Sequence, residues 1–167
     1  GEMSRLTRES IEAIEASRID SARHLAEEEK VTVILKGART VVATPKGDIF
    51  INTTGNPYMA SGGMGDALSG MIAALASQGL SPTDAACAGV FLHGMSADLI
   101  VREHPMTPVA AMDVIGNIRG ALRQTLGEAP AEGRRVEDRR AVEVDPLGEA
   151  PALGGEPEDA DRRGEIG

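Results

Sequence analysis

The stretch Val31-Thr32-Val33-Ile34-Leu35 constrains the fold more than any other part of the chain. A β-branched, apolar run without alternation describes a strand buried on both faces rather than one with a wet side. Such a strand needs a helix layer above it and another below. Upstream, Ile11, Ile14, Ile19, Ala22 and Leu25 recur at helical spacing, which predicts one amphipathic helix from Thr7 or Ser10 to the charged run Glu27-Glu28-Glu29-Lys30. Downstream, Met64 to Ser77 reads as a buried helix ended by Gly79. Ser81-Pro82 opens a second helix that runs to about Val101, and Thr107-Pro108 opens a third that stops near Gly127. Between them, Val41 to Ala43 and Ile49 to Ile51 flank Thr44-Pro45-Lys46-Gly47-Asp48 and predict a hairpin. The order α-β-β-β-α-α-α holds one clearly buried strand, fewer than a central parallel sheet requires. The expectation is an α/β chain that forms the C-terminal part of a larger domain.

Composition divides the 167 residues into two regions. Residues 127–167 carry 12 acids, 6 arginines, 7 glycines and 4 prolines, but only 6 residues among Leu, Ile, Val and Phe. That is too little apolar surface to offset the entropy of ordering, so a disordered acidic tail is expected after a folded region of residues 1–126. Acids outnumber bases 26 to 17, which argues against a surface that works by neutralising nucleic-acid phosphates. Cys87 is the only cysteine, excluding an internal disulfide framework and a Cys-rich zinc site. No apolar run approaches the roughly 20 residues of a membrane span, and the start Gly1-Glu2-Met3-Ser4-Arg5 lacks the order of a secretory signal. These features predict a soluble, cytoplasmic protein and leave room for a small local anion site.

The densest chemical signal is Gly55-Asn56-Pro57-Tyr58-Met59-Ala60-Ser61-Gly62-Gly63-Met64-Gly65-Asp66-Ala67-Leu68. Gly62, Gly63 and Gly65 fall where a loop enters an apolar helix, so backbone amides can approach an anion closely while the helix dipole adds positive charge. The segment lacks the Gly-Lys-Ser/Thr of a Walker loop, and Leu68 stands where a dinucleotide fingerprint requires Gly. Asp66, in the first turn, compensates the helix dipole on the plainest reading. Beside a phosphate site it gains a second use, as a base taking a proton from a substrate hydroxyl while phosphate arrives.

With Leu35-Lys36-Gly37-Ala38-Arg39-Thr40 and Leu92-His93-Gly94, this motif resembles the signature of the ADP-dependent NAD(P)H-hydrate dehydratases, a branch of the ribokinase-like superfamily. The likeness covers essentially all of residues 1–126. It implies a three-layer α/β/α fold, here without its N-terminal part, and the repair of NADH or NADPH hydrated on the nicotinamide ring, with ADP consumed to AMP and phosphate. Carried over by position, Lys36, Gly37, Ala38, Arg39 and Thr40 would contact the adenine nucleotide, with Gly62, Gly63 and Gly65 at its phosphates. Asp66 would meet the hydrated substrate, with Glu2 and Asn56 as further substrate-side candidates. The resemblance also implies Mg²⁺ as phosphate counter-ion and a homo-oligomer. Tyr58 stands where the family often has Gly, and Met64 where it often has Thr. The same Gly-Met-Gly-Asp logic serves a small-molecule hydroxyl kinase equally, and a nucleotide-binding module without turnover is a third reading. His93 and Asp98, on an apolar helix, read as structural, as does Cys87; His24 and His104 show no metal-ligand spacing.

Overall fold

The computed structural model describes residues 1–127, so the acidic tail lies outside it except for Gly127. Ten elements follow one another: α1 (Glu2–Thr7), α2 (Ile11–Ala16), α3 (Arg18–Glu29), β1 (Val33–Leu35), β2 (Val41–Ala43), β3 (Ile49–Ile51), a 3₁₀ turn (Pro57–Met59), α4 (Met64–Ser77), α5 (Pro82–Glu103) and α6 (Ala111–Leu126). The strands form an antiparallel sheet in the order β1-β2-β3. Val41 pairs with Leu35 on one side and Ile51 on the other.

Strand alternation distributes the sheet between two cores. Val33, Leu35, Val41 and Ala43 pack with Met3, Ile14, Ala22, Leu25 and Ala26 of the first three helices. Val42 and Ile34 face the opposite way, onto Leu68 and Ile72 of α4 and Ala86 and Val90 of α5. Helices therefore cover both faces, and the three-layer α/β/α expectation holds. The hairpin stands as read, but the strand buried throughout is β2, not the Val31–Leu35 run. β2 is the only strand paired along both edges among the described residues, whereas Val31 and Thr32 precede the ladder and Val31 is exposed.

The single helix expected from Thr7 or Ser10 is corrected to two, α2 and α3, and α1 precedes it. α1 ends at Arg8 in the left-handed region, Ser10 caps α2 by accepting from the Ala13 amide at 3.2 Å, and Ser17 leaves helical geometry between α2 and α3. The breaks rotate the stripe, burying Ile14, Ala22 and Leu25 while Ile11 and Ile19 stay exposed. α6 begins at Ala111 rather than at Pro108. Its first turn is set by the Ala110 amide donating to Asp113 Oδ2 at 2.9 Å, while Val109, fully buried, stays outside the helix with its amide donating to the Tyr58 carbonyl. α5 starts as expected, with the Ser81 hydroxyl accepting from the Asp84 amide. At 22 residues α5 is long and apolar enough to cross a membrane by composition, a correction to the sequence reading, yet half of its apolar window is buried inside the protein.

Candidate functional site

Three loops meet between the sheet, the start of α4 and the middle of α5. The first is the β1–β2 turn, Lys36 to Thr40. Gly37 (φ +147°) and Arg39 (φ +56°) give it its shape, and the Thr40 hydroxyl closes it by donating to the Gly37 carbonyl at 3.1 Å. From α3, Arg18 anchors this turn: Nη2 donates to the carbonyls of Leu35 and Lys36 at 3.1 and 3.2 Å, while Nη1 holds Glu15 at 2.9 Å. A side chain on Gly37 would strike this guanidinium.

The second loop, Asn52 to Asn56, is tied to α5. The Thr54 hydroxyl donates to the Phe91 carbonyl at 2.8 Å, and Asn52 Nδ2 donates to the carbonyls of Val90 and Thr54. The third is the glycine turn entering α4. Gly63 sits at φ +82° as the N-terminal boundary of the helix, with no side-chain cap. The first amide in the helix ladder is that of Ala67, donating to the Gly63 carbonyl, which leaves the preceding amides of Met64, Gly65 and Asp66 uncapped by any side chain.

These loops line a cleft of about 710 Å³ whose walls include all of Lys36, Gly37, Ala38, Arg39 and Thr40, then Thr54 to Pro57, Gly65, His93 and Gly94. Seven of the residues singled out by sequence thus share one cavity: the five of the β1–β2 turn, Asn56 and Gly65. Gly62, Gly63 and Asp66 do not line it; they occupy the exposed turn on either side of Met64 and Gly65. Glu2 lies on a separate groove beside β1, but its carboxylate reaches Lys36 Nζ at 3.5 Å.

The electrostatics centre on Gly65. A Cβ there would lie 2.9 Å from Lys36 Nζ, so only glycine lets this ammonium come down onto the start of α4. An ammonium and a helix N-terminus repel each other unless an anion sits between them. The exposed Glu2 carboxylate neutralises Lys36 only in part, so the arrangement suits a bound phosphate. Among the described residues no three His, Cys, Asp or Glu side chains converge as a metal cage. The residues present fit Mg²⁺ only as an ion carried by nucleotide phosphates, which is its common mode of binding.

His93 forms part of the cleft wall, and its Nε2 is buried without a partner. Burial pushes the imidazole pKa below its ordinary 6.5, and the Met64 backbone pulls weakly the other way. The unfolded chain therefore binds a proton near pH 6.5 that the folded chain refuses. The contribution of His93 to stability is complete above that pH and falls as pH drops through 6.5 towards the lower folded value. Urea unfolding at pH 7.5 and 5.5 is expected to show a smaller pH difference in His93→Gln than in the parent.

Two residues that hold these walls in place were not among the expected site residues: Arg18 was passed over and Asp98 was read as structural. Arg18 carried no signal, since an Arg on a helix surface is ordinary until the turn it anchors is seen. Asp98 carried one, because a carboxylate inside the apolar run of α5 needs a partner. It accepts from the Gly55 amide at 2.8 Å and from Asn56 Nδ2 at 2.9 Å.

Comparison with known proteins points to one family. The family model for NAD(P)H-hydrate dehydratases (Carb_kinase) matches residues 1–119. A bifunctional NAD(P)H-hydrate repair enzyme of Thermofilum pendens is 46% identical over 123 residues, covering 74% of this chain and 24% of that protein. An ADP-dependent (S)-NAD(P)H-hydrate dehydratase of Neisseria meningitidis is 38% identical over 122 residues, covering 73% of this chain and 40% of its own. Among solved structures, the ADP/ATP-dependent NAD(P)H-hydrate dehydratase of Bacillus subtilis, co-crystallized with ATP/Mg²⁺, superposes with a TM-score of 0.71 at 32% identity. It is covered to 45% by 74% of this chain. A ribokinase-like superfamily protein of Enterococcus faecalis superposes with a TM-score of 0.54 at 29% identity, over 66% of this chain. The chain thus spans less than half the length of each of these relatives. Because the β1–β2 turn, the glycine turn with Asp66 and the wall from α5 all fall within the matched residues, the chain belongs to the NAD(P)H-hydrate dehydratase family.

Proposed function

We propose that this chain binds ADP in the cleft between the β1–β2 turn and the start of α4, and contributes Asp66 as the base for ADP-dependent dehydration of hydrated NADH or NADPH. The observation that carries the reading is the meeting of Lys36 Nζ with the uncapped start of α4 at Gly65. That pairing holds phosphate. The glycine-shaped turn Lys36 to Thr40 gives the nucleotide a wall to lie against, and Asp66 follows Gly65, the residue beside Lys36 Nζ.

The chemistry asks little more of the protein. A ring hydroxyl is a poor leaving group, and transfer of the terminal phosphoryl of ADP to it makes a good one, with AMP released. Asp66 accepts the hydroxyl proton as the new P–O bond forms, and departure of phosphate, together with loss of a proton from the adjacent ring carbon to solvent, then restores the ring double bond. Mg²⁺ bound with the nucleotide supplies counter-charge to the phosphates. The name of the B. subtilis neighbour, with its ADP/ATP dependence and ATP/Mg²⁺ co-crystal, supports this reading.

Calorimetric titration with ADP, followed by recovery of nicotinamide absorbance from NADH hydrate, tests it. Release of AMP and phosphate with NADH is expected. A phosphorylated product that persists with ATP would select the small-molecule kinase instead, and AMP binding without turnover would select the binding module. Lys36→Met is expected to weaken ADP binding at least tenfold, while the unfolding midpoint moves by no more than about 2 °C, because the side chain is half exposed and its pairing with Glu2 is a surface one.

A further inference from the structure

Asn56 lies on the cleft wall, but both ends of its amide are engaged within the protein. Nδ2 donates to Asp98 Oδ1 at 2.9 Å, and Oδ1 accepts from the Tyr58 amide at 3.1 Å. Asp98 is itself absent from the cleft lining and spends its other oxygen on the Gly55 amide at 2.8 Å. The contacts continue from there. The Tyr58 carbonyl accepts from the buried Val109 amide at 3.0 Å, and the Val109 carbonyl accepts from the Ser61 hydroxyl at 2.8 Å, one residue before the Gly62-Gly63 turn. One unbroken run of hydrogen bonds joins α5 to the loop that starts α4.

We propose that Asp98 and Asn56 form a positioning pair that sets the cleft wall and, through Tyr58, Val109 and Ser61, the glycine turn at the phosphate, and that neither side chain is a ligand contact. The inference rests on the ADP-cleft reading for its consequence and on the hydrogen bonds alone for its mechanism. It differs from the expectation that Asn56 binds substrate directly: one Nδ2 hydrogen and Oδ1 are both engaged within the protein, so the amide is held in one orientation by the loop and cannot turn towards a ligand without breaking these bonds.

The polarity of the pair makes a specific test available. In Asp98→Asn, one side-chain oxygen is left to serve two donors, so the Gly55 amide or Asn56 Nδ2 loses its partner. In Asn56→Asp, two carboxylates face each other with no donor between them. In the double variant Asn56→Asp/Asp98→Asn every bond is restored: Asn at position 98 accepts from the Gly55 amide and donates to Asp at position 56, which still accepts from the Tyr58 amide. Four proteins, the parent, both single variants and the swap, are compared by hydrogen exchange of the Gly55 and Tyr58 amides without nucleotide, and by ADP affinity well below the unfolding midpoint. Met71→Ala, a core variant in α4 that takes no part in these hydrogen bonds, serves as a control for lost stability.

Each single variant is expected to lose at least tenfold in amide protection and in ADP affinity, with the swap within threefold of the parent and Met71→Ala unchanged in affinity. A swap no better than the worse single variant overturns the proposal, as do single variants that match the parent. A loss of affinity in Met71→Ala equal to that of the single variants also overturns it, because the effect would then be one of stability. If the parent binds no ADP, the cleft reading fails separately, and the exchange comparison alone decides the pair: equal protection in all four proteins overturns it.

Discussion

Replacing Asp66 by Asn is expected to lower the rate of ADP-dependent dehydration by about a thousandfold, in the middle of the range that a positioned acid or base contributes. ADP affinity is expected to stay within threefold. The two effects separate because of where Asp66 stands. Its side chain is exposed on the first turn of α4 and absent from the cleft lining, while its neighbour Gly65 lines the cleft beside Lys36. The amide fills the same volume and leaves the backbone amides at the helix start where they were, but it cannot take the hydroxyl proton. Removing a carboxylate from beside a phosphate site also relieves repulsion, so any shift in ADP affinity is expected towards tighter binding. The measurement is nicotinamide recovery with ADP in saturating amount, paired with calorimetry on the same preparation. Turnover within tenfold of the parent would remove Asp66 from the role of base.

Gly94→Ala is expected to be the most destabilising single methyl in the cleft region. A Cβ at Gly94 would sit 2.6 Å from the Thr54 carbonyl carbon and 2.7 Å from the Gly55 nitrogen, and closer still to Thr54 Oγ1. Those atoms are backbone, or are held by the Thr54 hydroxyl bond to the Phe91 carbonyl, so the loop cannot yield without losing its tie to α5. Overpacking of this kind costs about 3 kcal/mol, which corresponds to roughly 10 °C in the unfolding midpoint for a folded unit of this size. ADP affinity should fall with it, because the displaced residues are cleft wall. Gly70→Ala, in the interior of α4, is the contrast. A Cβ there meets nothing within 4 Å, and the helix gains about 1 kcal/mol from the better propensity of Ala. The same change is thus expected to lower the midpoint at one glycine and raise it at the other, as followed by thermal denaturation.

The two turns proposed to hold the nucleotide, Lys36 to Thr40 and the glycine turn before α4, were legible as turns from residue type and order. A run of glycines entering an apolar helix presents backbone amides wherever it occurs, and Ser81-Pro82 caps a helix by local bonding alone. The hairpin was legible for the same reason, its turn residues lying between two β-branched segments. Local chemistry acts over three or four residues, and the sequence displays that range directly. What lay beyond it was decided by tertiary contact. Thr107-Pro108 looks like Ser81-Pro82, yet α6 waits until Ala111 because the Val109 amide is claimed by the Tyr58 carbonyl, 51 positions away. Val31 looks as apolar as Val42, yet only β2 has neighbours on both edges and helices on both faces. Arg18 on the β1–β2 turn and Asp98 on the Gly55–Asn56 loop are drawn to backbone groups and an amide 17 to 43 positions distant. A long polar side chain on a helix has many possible partners, and chain entropy leaves the choice open until the layers pack and bring one set of carbonyls or amides within hydrogen-bond reach.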